Sequence, residues 1–109
     1  MHSQILIELH VFSDASEALV GTAIYIVQNQ QSHLIFAKSK LTPRPQRSLP
    51  TLELLALTIG IKTTQKIIAN PHFPIDHLTH IKFYGDSQVA LSWVLNKIGP
   101  KKTFLLAIV

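Results

Sequence analysis

The chain contains no cysteine, which excludes a disulfide framework, a thiolate metal site and a cysteine nucleophile together. Carboxylates are scarce as well: Glu8, Asp14, Glu17, Glu53, Asp76 and Asp86 are the six acids of a 109-residue chain. Ten Lys and Arg residues outweigh them, and the net charge of +4 allows an anionic partner without requiring one. The four glycines are dispersed, so no Gly-rich phosphate-binding loop is present. Long apolar runs are also missing. Residues 5–9 are too short and interrupted for a signal peptide, and residues 104–109 fall far below a membrane span. A soluble protein without a membrane partner is the expectation. No Ser, His, Asp nucleophile arrangement is arguable from spacing, and an aspartic protease needs Asp, then Thr or Ser, then Gly. Neither Asp14-Ala15-Ser16 nor Asp86-Ser87-Gln88 supplies that order.

What is present is a core. Hydrophobic residues make up 47% of the chain and mean hydropathy is +0.27, enough for one folded domain over residues 1–109. Residues 5–13 (ILIELHVFS), rich in β-branched and large apolar types, predict a first strand that ends on the turn-like Asp14, Ala15, Ser16. Residues 21–28 and 32–39 predict two more strands around a polar turn at Asn29, Gln30 and Gln31. Such short connections imply an antiparallel three-strand meander. Residues 40–50 carry three prolines and predict a loop. Around it Lys38, Lys40, Arg44 and Arg47 fall within ten residues with no acid among them, which suits phosphate contacts, although a solvated loop has the same composition.

Residues 51–69 predict a helix, opened by Pro50 and closed by Asn70 and Pro71. Leu52, Leu55 and Ile59 line one side, with Leu54, Leu57, Ile61 and Ile68 widening the stripe. Glu53 is expected in the first turn, where the helix dipole alone is reason enough for a carboxylate. A proline-containing connection over residues 71–79 follows. His72, His77 and His80, with Asp76, are expected in the loop before the last strand, and no spacing among them marks a zinc site. Residues 82–93 (KFYGDSQVALSW) then read as strand, acid, helix, with apolar Val89, Ala90, Trp93 and Val94 on the helix. Asp86 at that junction is also explained by helix capping alone. A right-handed crossover sets the strand ending at Asp86 parallel to the one ending at Asp14. Both acids then stand at carboxyl ends of parallel strands, where α/β sheets place their sites.

FSDAS (12–16), LPTLELLAL (49–57) and YGDSQVALSW (84–93), in that order, resemble the ribonuclease H domain of Bel/Pao-type retrotransposon polyproteins, a region also called the Pao retrotransposon peptidase. The resemblance runs from about residue 10 to the end of the chain. It implies an α/β, ribonuclease H-like fold: the three-strand meander, a parallel fourth strand, and helices packed on the sheet. It also implies a metal site built from acids in the order Asp, Glu, Asp, which Asp14, Glu53 and Asp86 match; integrases and transposases of this fold place their Glu last. The implied activity is cleavage of the RNA strand of an RNA/DNA hybrid with two Mg²⁺ ions, or Mn²⁺ in their place. Asp14 and Asp86 are then the principal ligands, and Glu53 a ligand that also orients the attacking water.

Like charges about 4 Å apart cost on the order of 4 kcal/mol at an effective dielectric near 20, so such a cluster makes sense around cations, and hard Mg²⁺ prefers carboxylate oxygens. The family further implies reverse transcriptase and integrase regions in the same polyprotein. Two departures stand out. The family continues with another strand and a last helix that brings a fourth acid, whereas no Asp or Glu follows Asp86 here. A C-terminally truncated fold is therefore expected, with residues 103–109 beginning a helix or strand. The alternative to an enzyme is an inactive ribonuclease H-like module that serves at most in nucleic-acid binding.

Overall fold

Strand-forming residues gather at the two ends of the described chain and one long helix joins them. The computed structural model describes residues 5–42, 48–85 and 104–108. Among these, strands β1 (Ile7–Ala15), β2 (Leu19–Gln28), β3 (Gln31–Leu41), β4 (Leu78–Gly85) and β5 (Phe104–Ile108) form one mixed sheet in the order β3-β2-β1-β4-β5. Helix α1 (Leu49–Ala69) connects β3 to β4 through a short 3-10 turn at Ile75–His77. β1, β2 and β3 pair antiparallel, and β4 pairs parallel to β1, as the meander and crossover predict. Residues 104–108 form the strand alternative of the two left open for that stretch, parallel to β4.

Strand bounds shift from the sequence expectation for local reasons. β1 runs through Asp14, which pairs with Gly21 inside the ladder instead of lying in the turn. The turn is tight because Ser16 holds it: its Oγ accepts from the Ala18 and Leu19 N–H groups, and its own N–H donates to the Leu19 carbonyl. At the β2–β3 hairpin, Asn29 and Gln30 both take positive φ, 53° and 64°, the pattern of a two-residue type I′ turn. Its twist matches the strands, which is why this polar pair is tolerated in a left-handed conformation. His80, expected in the loop before the last strand, instead lies within β4 opposite Glu8, because the strand begins at Leu78.

α1 begins two residues earlier than expected, with Ser48 at its N-cap and Pro50 in the first turn. Glu53 consequently stands in the second turn. The stripe facing the sheet is Leu52, Ala56, Leu57, Gly60, Ile61 and Thr64, not the Leu52, Leu55, Ile59 line; Leu55 and Ile59 are only half-buried. Small residues decide this. A Cβ on Gly60 would lie 3.0 Å from Val11 Cγ1 and 3.1 Å from Ser13 Oγ, so glycine lets the helix backbone come down onto β1. Thr22 Oγ1 donates to the Ala56 carbonyl at 3.3 Å, and Thr64 Oγ1 donates back to the Gly60 carbonyl, so both buried threonines are satisfied.

Beneath α1 the core consists of Leu9, Val11, Ile24, Leu57, Ile61, Ile81 and Phe83, all buried. A smaller cluster, Val20, Leu52 and Ala56 with Ala15, seats the start of the helix over the end of β1. Gly60→Val forces a branched side chain into the 3.0 Å contact and should destabilise the fold by about 1–3 kcal/mol through overpacking. The urea midpoint should fall with an unchanged slope; an unaltered midpoint counts against the close approach.

Candidate functional site

Alternation along β1 divides the sheet. Ile7, Leu9, Val11 and Ser13 face α1, while Glu8, His10, Phe12 and Asp14 face the other way. Cross-strand pairing places Tyr25, Ala23 and Gly21 of β2, and His80, Lys82 and Tyr84 of β4, on that second face beside them. The rings interlock. Phe12 stacks on Tyr84 with centroids 4.5 Å apart and planes at 9°, and meets Tyr25 edge-on at 5.7 Å.

An open cleft of about 570 Å³ lies where β1 and β4 end, lined by Phe12, Asp14, Lys38, Ser39, Tyr84 and Gly85 among others. Asp14 is exposed there, and its Oδ1 accepts a hydrogen bond from the adjacent Ala15 N–H at 3.0 Å. Lys38 borders this cleft as well, but it pairs with Thr22, which faces α1, so its side chain stands on the helix side of the sheet and Asp14 on the other. Lys38 and Lys40 also line a small recess between the β2–β3 edge and Ile59 of α1, so they form one basic margin. Thr42 bonds back to the β1–β2 turn, its N–H to the Ala18 carbonyl and its Oγ1 to the Ser16 carbonyl at 3.0 Å. That anchors Thr42 at the same end of the sheet as Asp14. Arg44 and Arg47, predicted with these lysines, lie outside the described residues.

Glu53 is half-buried and falls in register with Ala56, Leu57 and Gly60 on the sheet-facing stripe of α1. Ala56 packs with Val20 near Ala15, so Glu53, one turn earlier, belongs to the same end of the molecule as Asp14. By alternation Asp14 stands on the sheet face away from α1, and the two acids approach that end from different sides. Asp86 lies outside the described residues. It follows Gly85 directly in sequence, and Phe12 pairs with Tyr84, each two residues before an acid. Among the described residues no three His, Asp or Glu side chains converge on one point. His77 Nδ1 is bonded to the Ile5 carbonyl at 2.7 Å, which gives that histidine a structural role.

The sequence reading missed a polar chain on the open face. The Lys82 ammonium lies 3.3 Å from Glu8 Oε1, and His10 Nε2 donates to the same oxygen at 2.8 Å. With Nε2 as donor, the Nδ1 of a neutral ring is the acceptor, and the Tyr84 hydroxyl donates to it at 3.2 Å. The hydrogen bond from His10, then Lys82, holds the Glu8 carboxyl below its ordinary range despite some opposing desolvation. Period-two alternation of Glu8, His10, Phe12 and Asp14 was the available signal.

Comparison with known proteins follows the same lines. A sequence model described as the Pao retrotransposon-like RNaseH-like domain matches residues 1–87. No curated protein matches the chain. Among solved structures, LC11-RNase H1 in complex with an RNA/DNA hybrid superposes with a TM-score of 0.56 at 9% identity, covering 94% of this chain and 84% of that one. The protease-reverse transcriptase of prototype foamy virus gives 0.54 at 13% identity, covering 98% of this chain and 18% of its own. The large terminase of a thermophilic bacteriophage gives 0.51 at 8% identity, with 95% and 23% covered. At these identities the likeness is one of fold, and the chain spans under a quarter of the latter two proteins.

Because the Glu8 carboxyl is depressed when folded, its contribution is present above the ordinary value of 4.5 and is lost as pH falls through the lower folded value. Urea unfolding from pH 6 downward should therefore show a steeper loss of stability below about pH 4.5 in the wild type than in Glu8→Gln. Parallel curves would show that the ion pair contributes nothing.

Proposed function

Because the chain belongs to the Pao retrotransposon-like RNaseH-like domain family, we propose that it is the hybrid-cutting nuclease region of a retroelement polyprotein. The observation that carries this is the parallel register of β1 and β4: Phe12 pairs with Tyr84, and two residues on in each strand the sequence has Asp14 and Asp86. α1 starts over the same end of the sheet and brings Glu53 there.

The donor set fits a hard divalent cation. Asp14 is exposed on the cleft, and carboxylate oxygens are what Mg²⁺ or Mn²⁺ takes in preference to nitrogen or sulfur. Asp14, Glu53 and Asp86 hold the ions in this reading. When bound, a pair of divalent ions supplies an activated water and charge stabilisation for the leaving 3′ oxygen. Glu53 orients the incoming water. Gathering the three acids costs mutual repulsion, which gives them a demand for protons or cations.

Lys38, Lys40, Arg44 and Arg47 contact the phosphates of the duplex. Such contacts register its position without reading its sequence, in keeping with a ligand recognised by shape. The RNA/DNA hybrid as substrate takes support from LC11-RNase H1, whose structure holds one. Likeness to the foamy virus protease-reverse transcriptase supports a reverse transcriptase as covalent neighbour, with integrase expected from the family resemblance.

The test is a Mg²⁺ titration of the chain with an end-labelled hybrid. Asp14→Asn, Glu53→Gln and Asp86→Asn should each lower cleavage by about a hundredfold or more while hybrid binding persists. Binding by the wild type without cleavage at any Mg²⁺ or Mn²⁺ concentration identifies the non-catalytic module instead. In the same assay Lys38→Ala and Lys40→Ala should each weaken hybrid binding regardless of sequence. Each should also reduce the slope of log affinity against log salt by about 0.9. An unchanged slope removes these lysines from the interface.

A further inference from the structure

We infer that the Lys82–Glu8–His10–Tyr84 chain is a positioning network that holds β4 in the one register with β1 in which Phe12 and Tyr84, each two residues before an acid in the sequence, stand level. This rests on the function proposed above and adds residues that neither the metal nor the phosphate contacts require.

Register is not uniform along this pair. Ile7 pairs with Leu78, but Glu8 pairs with His80, so one extra residue, Thr79, is accommodated on β4. Its Oγ1 donates to the Ile7 carbonyl at 3.1 Å, which fixes the irregularity in place. From there the pairs run His10 with Lys82 and Phe12 with Tyr84. Had the ladder run on from Ile7 and Leu78 without it, Phe12 would pair with Phe83 instead of Tyr84.

The apolar face cannot guard this register alone. Slipping β4 by one residue is opposed by the core, since it would turn Ile81 and Phe83 outward. Slipping by two is opposed less: it keeps every face, and of Leu9 and Val11 one still meets an apolar partner, Phe83 or Ile81, while the other meets Gly85 or Thr79. Yet two residues displace one acid-bearing strand end from the other by roughly 6.6 Å, well beyond what shared ions tolerate. Directional groups on the open face discriminate where the core does so less. Lys82 reaches back past its own partner to Glu8, and Tyr84 past Phe12 to His10, so both cross-strand contacts slant the same way. A two-residue slip that carries Lys82 level with Phe12 breaks both contacts; the opposite slip sets Lys82 level with Glu8 and Tyr84 level with His10, and there it is the face-to-face Phe12–Tyr84 stack that is lost.

The experiment uses the full chain, with Mn²⁺ alone as the probe. Paramagnetic broadening of the Asp14 and Gly85 backbone amides gives an apparent Mn²⁺ midpoint, and hydrogen exchange of the Tyr84 and Gly85 amides reports the β4 register. Tyr84→Phe keeps the ring and its stack and loses only the hydroxyl, so folding should survive. A hydrogen bond of ordinary strength converts to about a two- to tenfold effect. Tyr84→Phe and Lys82→Met should raise the Mn²⁺ midpoint and speed amide exchange by that factor with the thermal midpoint little changed, and Lys82→Arg should restore the wild-type values. Equal midpoints and equal exchange in wild type and Tyr84→Phe overturn the network. If the wild type shows no broadening at Asp14 and Gly85, the metal-site proposal is what fails. Exchange then judges the network alone: faster exchange in Tyr84→Phe supports it, and unchanged exchange overturns it.

Discussion

The close seating of α1 on β1 and β2 is the contact from which the rest of the arrangement follows. Ala56, Gly60 and Thr64 present almost no bulk, so the helix backbone itself meets Val11, Ser13 and Thr22. Once one face of the sheet is closed that tightly, alternation assigns every strand residue a side. The apolar members of β1 and β4 go under the helix, and Glu8, His10, Phe12, Asp14, Lys82 and Tyr84 are left together on the other face. Chemistry-bearing residues gather there because the core has no room for them.

The end of the sheet then acquires its character from convergence of several chain segments. β1 and β4 finish side by side, α1 begins over Ala15 and Val20, and Thr42 ties the end of β3 to the Ser16 turn. No single segment carries enough charge to make a site. The net excess of basic residues lies partly on the β3 margin, where Lys38 and Lys40 stand on the helix side of the sheet beside Ile59.

Much of the fold was legible in the chain because strand and turn signals agreed: the meander, the crossover helix and the parallel return of β4 all follow from apolar runs and their connections. What misled was bulk. Leu55 and Ile59 look more like a buried stripe than Ala56 and Gly60, but close packing against a sheet rewards small residues, a preference invisible until the partner strand is known. Asp14 read as a turn residue for the complementary reason, since the β1–β2 connection is held by Ser16 and lets the ladder run further. Of the candidate site, the acids and basic residues were nameable from motif and spacing. The Glu8–His10–Tyr84 connection needed the register irregularity at Thr79, which nothing in local sequence announces.

β3 lies at the margin of the described sheet, eleven residues long and mostly exposed, with Leu34 and Ile35 open to solvent. Such a border invites a passing chain to add itself, and positively charged side chains are a common deterrent. Lys38 and Lys40 are the cations that stand on it. The pair proposed to grip phosphate is therefore also the pair that keeps neighbouring molecules off. Silencing one role silences the other, and a chain relieved of its polyanion contacts is at the same time one left open to clumping.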